Sequence, residues 1–363
     1  MQKKIKIGMN ARPFASSSMR GIARHTFELI KNLHSENPSI EFYLYTYGKV
    51  DNFYKAELPY VKWRETKVSP KLLWDLWVLP KQIKEDGLDL FHSTNNLGLP
   101  FSGIKKVVTI HDDLTHRHRM NAGMKHMWGK FNYLIEYFLL KSADRFITIS
   151  QAAKNEIIKT MHLPAEKFRV IYNGVNKHTL NPVINKEDFY LYVGGLEERK
   201  NIPFLIKELE VLQTKLNKKI QLKCISKLNS ANSALKEQIK NTSFSITFLE
   251  DVSDNELFEL YQKSKAVIIP SLLEGFGIPL VEAMEMGAPL FVSDIQVFKE
   301  VTELKAWFFD PHITGSLTDL LKKAEENNIS FSKFNTDAMS VALKYDWQVM
   351  AKETMKTYIE ILK

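Results

Sequence analysis

The stretch AVIIPSLLEGFGIPLVEAMEMGAPLFVSD, residues 266–294, decides the fold class. It begins with a short apolar run that predicts a buried strand, continues through a loop with Gly275 and Gly277, and enters a helix near Ile278. A proline in the first turn and Gly287 after the last turn agree with the usual composition of helix termini. A strand, a glycine-rich loop and a helix in this order indicate one unit of a parallel α/β sheet.

The same alternation runs along the whole chain in two series, separated by the polar stretch Asn173–Asp188. The predicted strands are Ile5–Met9, Phe42–Thr46, Leu90–Ser93, Lys106–Ile110, Arg145–Ser150 and Arg169–Tyr172, then Tyr190–Val193, Ile220–Ile225, Ser245–Leu249, Ala266–Ile269 and Leu290–Val292. The predicted helices are Gly21–Leu33, Lys71–Glu85, Met124–Leu140 and Gln151–Thr160, then Ile202–Leu216, Ser233–Ile239, Asn255–Lys263 and Ile278–Met286. We therefore expect two Rossmann-like, doubly wound parallel-sheet domains that face each other across a cleft.

The length of 363 residues agrees with two domains, because it exceeds what one hydrophobic core usually organises. We place an amino-terminal domain at 1–176, a carboxyl-terminal domain at 177–345 and a closing helix at 346–363. Hydrophobic residues make up 44% of the chain and charged residues 25%, which is typical of a globular protein and argues against disorder or a collagen-like repeat.

The sequence favours a cytoplasmic location. Cys224 is the single cysteine, so an internal disulfide is excluded. The first residues, MQKKIKIGMN, lack the apolar run of a secretory signal. The most apolar candidate span, Tyr133–Leu140, contains Glu136 and is far shorter than the roughly 20 residues that cross a bilayer.

Positive charge is concentrated in the first half of the chain. Residues 1–180 hold 28 basic and 16 acidic residues, whereas residues 181–363 hold 22 and 26. Solubility, an anionic membrane surface and nucleic acid are the three explanations. Nucleic acid is the least favoured, since no zinc spacing or RNA-recognition signature is present. Docking on the inner face of the plasma membrane remains a second hypothesis, supported by aromatic residues that core packing explains equally well: Trp74, Trp77, Trp128, Tyr133, Tyr137 and Phe138.

Two carboxylates flank the glycine-rich loop. The loop and the helix N-terminus present backbone N–H groups that attract a phosphate. Glu274 precedes the helix and Glu282 lies eight residues later, about two turns along if the whole interval were helical. Carboxylates accept paired hydrogen bonds from vicinal hydroxyls, as in ribose recognition. The alternative is that Glu282 is a solvated helix residue and Glu274 a helix cap.

The motif P-S-x-x-E-G-F-G-x-P-x-x-E-A-M-x-x-G-x-P resembles the donor site of glycosyltransferase family 4, whose members are retaining enzymes of the GT-B fold that use nucleotide-diphosphate sugars. The resemblance implies that Glu274 contacts hydroxyls of the donor sugar and that Glu282 holds the nucleotide ribose. It also assigns sugar and phosphate contacts to the backbone of the segment from Gly275 through Phe276 and Gly277 to Ile278.

A second matching segment is YVGGLEERKNIPFLI, residues 192–206. Here the resemblance implies that Gly194 and Gly195 form part of the donor site, and that Arg199 and Lys200 clamp the diphosphate. Two fixed cations can stabilise a departing nucleoside diphosphate without a metal ion. Without the resemblance, an Arg-Lys pair at a helix start is more often solvated surface.

His111, in TIHDDLTHRHRM (109–120), follows a predicted strand and matches a family histidine near the donor sugar and β-phosphate. Alone, it would more often be a structural histidine. The neighbouring His116, His118, Asp112 and Asp113 also imitate a metal site, but their spacing fits no standard zinc pattern. We expect no metal ion and no cofactor beyond the nucleotide-diphosphate sugar.

The segment MRGIARHTFELIKNL, residues 19–33, matches the family's glycine-rich first loop. The match implies an acceptor or phosphate contact from the stretch Arg20, Gly21, Ile22 and Arg24. Ala23 occupies the second glycine position, where alanine is less able to adopt a positive φ.

The function that follows from the resemblance is retaining transfer of a hexosyl group to an acceptor hydroxyl, on a lipid-linked or growing cell-surface polysaccharide. A GT-B-like nucleotide-sugar epimerase is the alternative, because it binds the same donor without an acceptor. A dehydrogenase is less favoured because neither first strand is followed by G-x-G-x-x-G. A non-enzymatic binding module would retain the ribose glutamate without the diphosphate cations.

Overall fold

The computed structural model describes residues 4–15, 21–67, 73–96, 98–99, 103–112, 137–178, 185–326 and 332–363. The chain divides into two compact units. Unit 1 consists of Met1–Gly174 together with Trp347–Lys363, and unit 2 consists of Val175–Asp346. The carboxyl-terminal segment therefore belongs to the same unit as the amino-terminal half.

Unit 1 is built on a seven-stranded parallel sheet in the order β3-β2-β1-β4-β5-β6-β7. Its strands are β1 (Lys6–Asn10), β2 (Glu41–Tyr47), β3 (Lys62–Thr66), β4 (Leu90–Ser93), β5 (Lys105–Ile110), β6 (Arg145–Thr148) and β7 (Phe168–Val170). Its helices between strands include α1 (Ile22–Glu36), α2 (Asn52–Glu57), α3 (Leu79–Asp86) and α4 (Gln151–Met161). Strands β1, β4 and β6 bury nearly every residue, as expected where helices cover both faces of a parallel sheet.

Unit 2 has a six-stranded parallel sheet in the order β10-β9-β8-β11-β12-β13. Its strands are β8 (Tyr190–Val193), β9 (Gln221–Ile225), β10 (Ser245–Leu249), β11 (Ala266–Ile269), β12 (Leu290–Ser293) and β13 (Trp307–Phe309). Its helices include α5 (Ile202–Leu216), α6 (Ser233–Lys240), α7 (Asp254–Lys263), α8 (Ile278–Glu285), α9 (Gln296–Thr302), α10 (Ser316–Glu325) and α11 (Ser332–Ala342). In both units the first strand lies between the second and the fourth, so the prediction of two doubly wound Rossmann-like sheets is confirmed.

The last helix, α12 (Trp347–Leu362), lies within the closing segment 346–363 and packs on α1. The Tyr358 hydroxyl lies 2.6 Å from Nδ1 of His92 on β4. At the surface, Arg169 and Glu360 form an ion pair of 2.8 Å. The helix therefore completes the core of unit 1.

The sequence missed the edge strands β3 and β13. Strand β3 reads KWRET and is half-exposed, so it lacks the apolar pattern of a buried strand. Strand β13 is three residues long. The helix predicted over Lys71–Glu85 is a π-helical turn at Trp74–Val78 followed by α3. Most of the predicted helix Met124–Leu140 lies outside the described residues.

No helix among the described residues combines the length and the apolar composition needed to cross a membrane.

Candidate functional site

Two loops at the carboxyl end of the unit 2 sheet are joined to each other. The first follows β8 with Gly194 and Gly195 and contains a 3₁₀ turn at Glu198–Lys200. The second lies between β11 and α8. The backbone N–H of Leu272 donates to the Arg199 carbonyl oxygen over 2.7 Å. Because β8 and β11 are hydrogen-bonded neighbours, their carboxyl ends bring these loops to one edge.

The two basic side chains of the first loop meet Glu274 of the second loop. Lys200 Nζ lies 2.5 Å from Oε1 of Glu274, and Arg199 Nη1 lies 3.0 Å from Oε2. The Ser271 hydroxyl donates to Oε1 over 2.9 Å. Only 13% of the Lys200 side chain and 29% of the Arg199 side chain are exposed, so their description as a solvated surface pair is wrong. Within this group of three side chains two positive charges face one negative charge, which favours an anionic ligand at Arg199 and Lys200, while the acidic Glu197 and Glu198 of the same loop are exposed.

Glu274 is ionised at neutral pH. Burial opposes its ionisation, but the Lys200 ammonium and the Arg199 guanidinium outweigh burial and hold the pKa of this carboxyl below its ordinary value. Its side chain is 11% exposed. The alternative role of Glu274 as a helix cap is also wrong, because α8 is preceded by Gly277, and no side chain caps it.

The loop between Glu274 and α8 requires glycine at one position. Gly277 has φ 96°, and an added Cβ would lie 3.2 Å from the Phe298 ring. Phe276 is buried and packs edge-to-face on Tyr345 at 5.3 Å between ring centroids. The helix begins at Ile278, so the interval from Glu274 to Glu282 is not helical throughout, as the two-turn estimate assumed.

Glu282 lies on α8 with 2% of its surface exposed, so its description as a solvated helix residue is wrong. The hydroxyl of Tyr261, which is fully buried on α7, donates to Oε2 of Glu282 over 3.0 Å. The sequence did not single out Tyr261, because a tyrosine on the buried face of a helix carries no signal of a polar role.

His111 follows β5 at the carboxyl edge of the unit 1 sheet. Its Nε2–H donates to the Thr94 carbonyl oxygen over 2.8 Å, and its backbone N–H donates to Oδ1 of Asn96. Burial lowers the pKa of His111 to about 4, although the Thr94 carbonyl opposes that shift. The ring is therefore neutral at pH 7, with its proton on Nε2 and a lone pair on Nδ1. Such a ring accepts a hydrogen bond from a hydroxyl and supplies no positive charge.

Two further buried histidines, missed by the sequence, lie near His111. The His25 ring on α1 packs edge-to-face on His111 at 4.8 Å, and its Nδ1 donates to Oδ1 of Asn173 over 2.7 Å. His92 on β4 lies between Tyr358 and the Thr109 hydroxyl. A histidine inside a strand or helix pattern looks like an ordinary core residue, so only the tertiary structure reveals this group.

The first loop of unit 1 is described in part. Arg20 lies outside the described residues. Gly21 precedes α1 with φ 54°, and Ile22 and Arg24 belong to the first turn of that helix. Ala23 is a buried residue inside α1, where the backbone is helical, so the conformation at this position does not require glycine.

Among the described residues, no three His, Cys, Asp or Glu side chains are grouped as metal ligands would be. His116, His118 and Asp113 of the alternative metal site lie outside those residues.

Two family models match nearly the whole chain. The model described as Glycosyltransferase Family 4 matches residues 19–178, and the model described as Glycosyl transferases group 1 matches residues 177–340. The chain belongs to glycosyltransferase family 4. Its Anabaena structural neighbour HepE, solved in complex with UDP-glucose, has a TM-score of 0.76 at 17% identity, with 98% of this chain and 100% of that chain covered. The two Rossmann-like units and this similarity establish the GT-B fold.

Bacterial mannosyltransferases are among the proteins that this chain resembles in sequence. The O-antigen chain mannosyltransferase RfbU of Salmonella typhimurium is 34% identical over 61% of this chain and 60% of its own length. The serotype-specific mannosyltransferase WbdA of Escherichia coli is 27% identical over 64% of this chain and 30% of its own length. The matched region thus spans less than two thirds of both relatives. Which part of a donor or acceptor each of the site residues binds therefore stays a prediction.

Proposed function

We propose that the protein is a retaining hexosyltransferase that moves a sugar from a nucleotide-diphosphate donor to a hydroxyl of a saccharide acceptor. The observation that carries this proposal is the contact of Arg199 and Lys200 with Glu274 at the carboxyl edge of unit 2. A donor needs cations at its diphosphate and hydrogen-bond acceptors at its sugar. The cluster supplies both within one hydrogen-bonded pair of loops.

In the proposed reaction, the bond between the anomeric carbon and the β-phosphate oxygen breaks while a bond to the acceptor oxygen forms on the same face. The acceptor proton moves to the departing β-phosphate oxygen. Arg199 and Lys200 stabilise the negative charge that develops there. The contact of Glu274 with the donor sugar and of Glu282 with the ribose completes the donor site on unit 2. On unit 1, the neutral His111 ring accepts a hydrogen bond from a hydroxyl of the substrates and so helps to orient them.

Mannose is the hexose that the comparisons favour, because the relatives RfbU and WbdA are named mannosyltransferases. RfbU is named for the O-antigen chain, which supports a growing or lipid-linked surface polysaccharide as the acceptor of this chain. We propose that Arg199 and Lys200 take the place of a metal ion at the diphosphate, and that the nucleotide-diphosphate sugar is used without a further cofactor.

The test combines a thermal-shift panel of nucleotide sugars with a turnover assay. We expect one donor to raise Tm, since a ligand that binds only the folded state stabilises it. We expect release of nucleoside diphosphate only when a polysaccharide acceptor extract is present, and a product with the donor's anomeric configuration by NMR. Conversion of the donor into an epimeric nucleotide sugar without acceptor would favour the epimerase, donor binding without any turnover would favour a binding module, and inversion at the anomeric carbon would contradict the retaining mechanism.

We also infer that unit 1 docks on an anionic membrane surface, on the inner face of the plasma membrane. Trp77 and Leu73, one helical turn apart, have 72% and 42% of their surfaces exposed, whereas Trp74 between them is fully buried. Lys81 continues the same helical stretch with 77% of its side chain exposed. An exposed tryptophan followed one turn later by a lysine, whose ammonium lies 3.8 Å from Glu85, suits the headgroup region of a bilayer.

Replacing Trp77 with serine is expected to lower co-sedimentation with phosphatidylglycerol vesicles at least threefold. The matched control is Ile313→Ser, which removes a side chain of 58% exposure from unit 2 and leaves vesicle binding unchanged. Salt should weaken binding of the unaltered protein, because the attraction is partly electrostatic. Equal binding to neutral phosphatidylcholine vesicles, or no effect of Trp77→Ser, would refute the membrane proposal.

A further inference from the structure

Tyr261 and Glu282 form a buried polar contact between two packed helices of unit 2. The Tyr261 hydroxyl donates to Oε2 of Glu282 over 3.0 Å, and both side chains are almost completely buried. A buried carboxylate is costly unless hydrogen bonds satisfy it, so its partners determine its orientation. The Tyr261 hydroxyl is therefore a determinant of the orientation of the Glu282 carboxylate.

Helix α7 holds Tyr261 firmly. Ser253 and Glu256 form a capping box at its start, with the Ser253 hydroxyl accepting from the Glu256 N–H and the Glu256 carboxylate accepting from the Ser253 N–H. At its end, the Ser264 hydroxyl donates to the Tyr261 carbonyl oxygen over 2.9 Å. The Tyr261 ring thus projects from a helix that is fixed at both ends.

We propose that Tyr261 is a positioning residue that orients Glu282 for the ribose of the donor. The inference rests on the proposed function, in which Glu282 binds the ribose. A carboxylate group is planar, so holding Oε2 also sets the direction of Oε1. A preset carboxylate binds the two vicinal hydroxyls of a ribose without first losing rotational freedom, which favours binding.

The role predicts a specific loss of ribose discrimination. In the unaltered protein, GDP or UDP should bind at least tenfold more tightly than its 2′,3′-dideoxy counterpart, which lacks the hydroxyls. In Tyr261→Phe the ribonucleotide should bind about tenfold more weakly, as expected when a hydrogen bond to a charged group is lost. Binding of the dideoxynucleotide should change less than twofold. Isothermal titration calorimetry gives the Kd of each nucleotide, and the ratio of the two Kd values is the measure of ribose discrimination. Both nucleotides are titrated into the same preparation, so partial misfolding does not alter this ratio.

Tyr190→Phe is the matched control. The Tyr190 hydroxyl also donates to a glutamate of unit 2, Glu325, over 2.5 Å, and the ring is 3% exposed. It lies on β8, and its partner is on α10 rather than α8. This variant should keep the full ratio between the two nucleotides.

The outcomes separate the two proposals. If Tyr261→Phe weakens the binding of both nucleotides equally, or the binding of neither, the positioning role is wrong. If Glu282→Gln retains the ratio, the ribose role of Glu282 in the proposed function is wrong. Should Tyr261→Phe fail to fold, Glu282→Asp withdraws the carboxylate from Tyr261 while keeping its charge. In Glu282→Asp the two nucleotides should bind with similar Kd values, and an unchanged ratio of the two Kd values would overturn the inference.

Discussion

Replacing Lys200 with methionine is expected to lower the rate of sugar transfer by about a hundredfold to a thousandfold. The substitution keeps most of the side-chain volume and removes the ammonium group that lies 2.5 Å from Glu274. Removing one group that stabilises developing charge in a transition state typically costs that much in kcat. The affinity for the nucleoside diphosphate should fall as well, because the same cation attracts the diphosphate in the ground state.

Glu274→Gln is expected to act differently from Lys200→Met. Without the carboxylate charge, the two cations face the diphosphate unneutralised, so the nucleoside diphosphate should bind as tightly as before or more tightly. Transfer should still fall about a hundredfold, because the substitution alters the proposed contact with the donor sugar. The pair of variants thus distinguishes two roles of Glu274. If it only orients the cations, nucleotide binding will weaken in Glu274→Gln as it does in Lys200→Met.

The control for both variants is Lys215→Met. Lys215 lies on α5 of the same unit and forms an exposed ion pair of 2.9 Å with Asp319. Exposed pairs contribute little to stability, so this variant should keep its turnover within twofold. Steady-state kinetics with circular dichroism as a check of folding would measure all three variants. A folded Lys200→Met with turnover close to that of the unaltered chain would contradict the assignment of the diphosphate site.

The convergence of Arg199 with Glu274 was predictable because it follows from topology. Each residue comes shortly after a strand that the apolar pattern identified, and in a parallel sheet all strands end at the same edge. Their direct ion pair was not predictable, since it depends on the loop conformations. The contact of Leu272 with Arg199 and the positive φ of Gly277 set those conformations.

The contact of Tyr261 with Glu282 and the group of buried histidines depend on packing between elements that are distant in sequence. His92 meets Tyr358, 266 residues further along the chain. No periodicity within one element records such a partner. The edge strand β3 escaped prediction for a related reason, because its pairing with β2 outweighs the low apolar content of KWRET.

The buried histidines lead to the second large expectation, a loss of stability of unit 1 in mild acid. Burial lowers the pKa of His92 to about 3 and that of His111 to about 4, and the nearby His111 adds to the effect on His92. Burial, with His111 as a second cause, also places the pKa of His25 well below its ordinary value of 6.5. In the folded state the His92 and His111 rings therefore stay neutral at pH 5, whereas in the unfolded chain they are mostly protonated.

The unfolded state therefore binds more protons than the folded state below pH 6.5, and the free energy of unfolding falls as the pH falls. Between pH 7 and pH 5 the loss is about 2 kcal/mol per histidine, or about 4 kcal/mol for His92 and His111 together, with His25 adding to it. A loss of that size is a large fraction of the stability of an ordinary domain. The decline should begin near pH 6.5, above the range in which carboxylates become protonated.

Urea unfolding at several pH values, followed by tryptophan fluorescence, would measure this decline in a Trp307→Phe background. Trp307 is the one tryptophan in the sequence range of unit 2, and the other five lie in the ranges of unit 1, so the signal then reports unit 1. His92→Gln should unfold more readily at pH 7 but lose about 2 kcal/mol less between pH 7 and pH 5. The exposed His312, replaced by glutamine in unit 2, should leave the pH dependence unchanged. Equal unfolding free energies at pH 7 and pH 5 would contradict the lowered pKa values of His92 and His111 in the folded state.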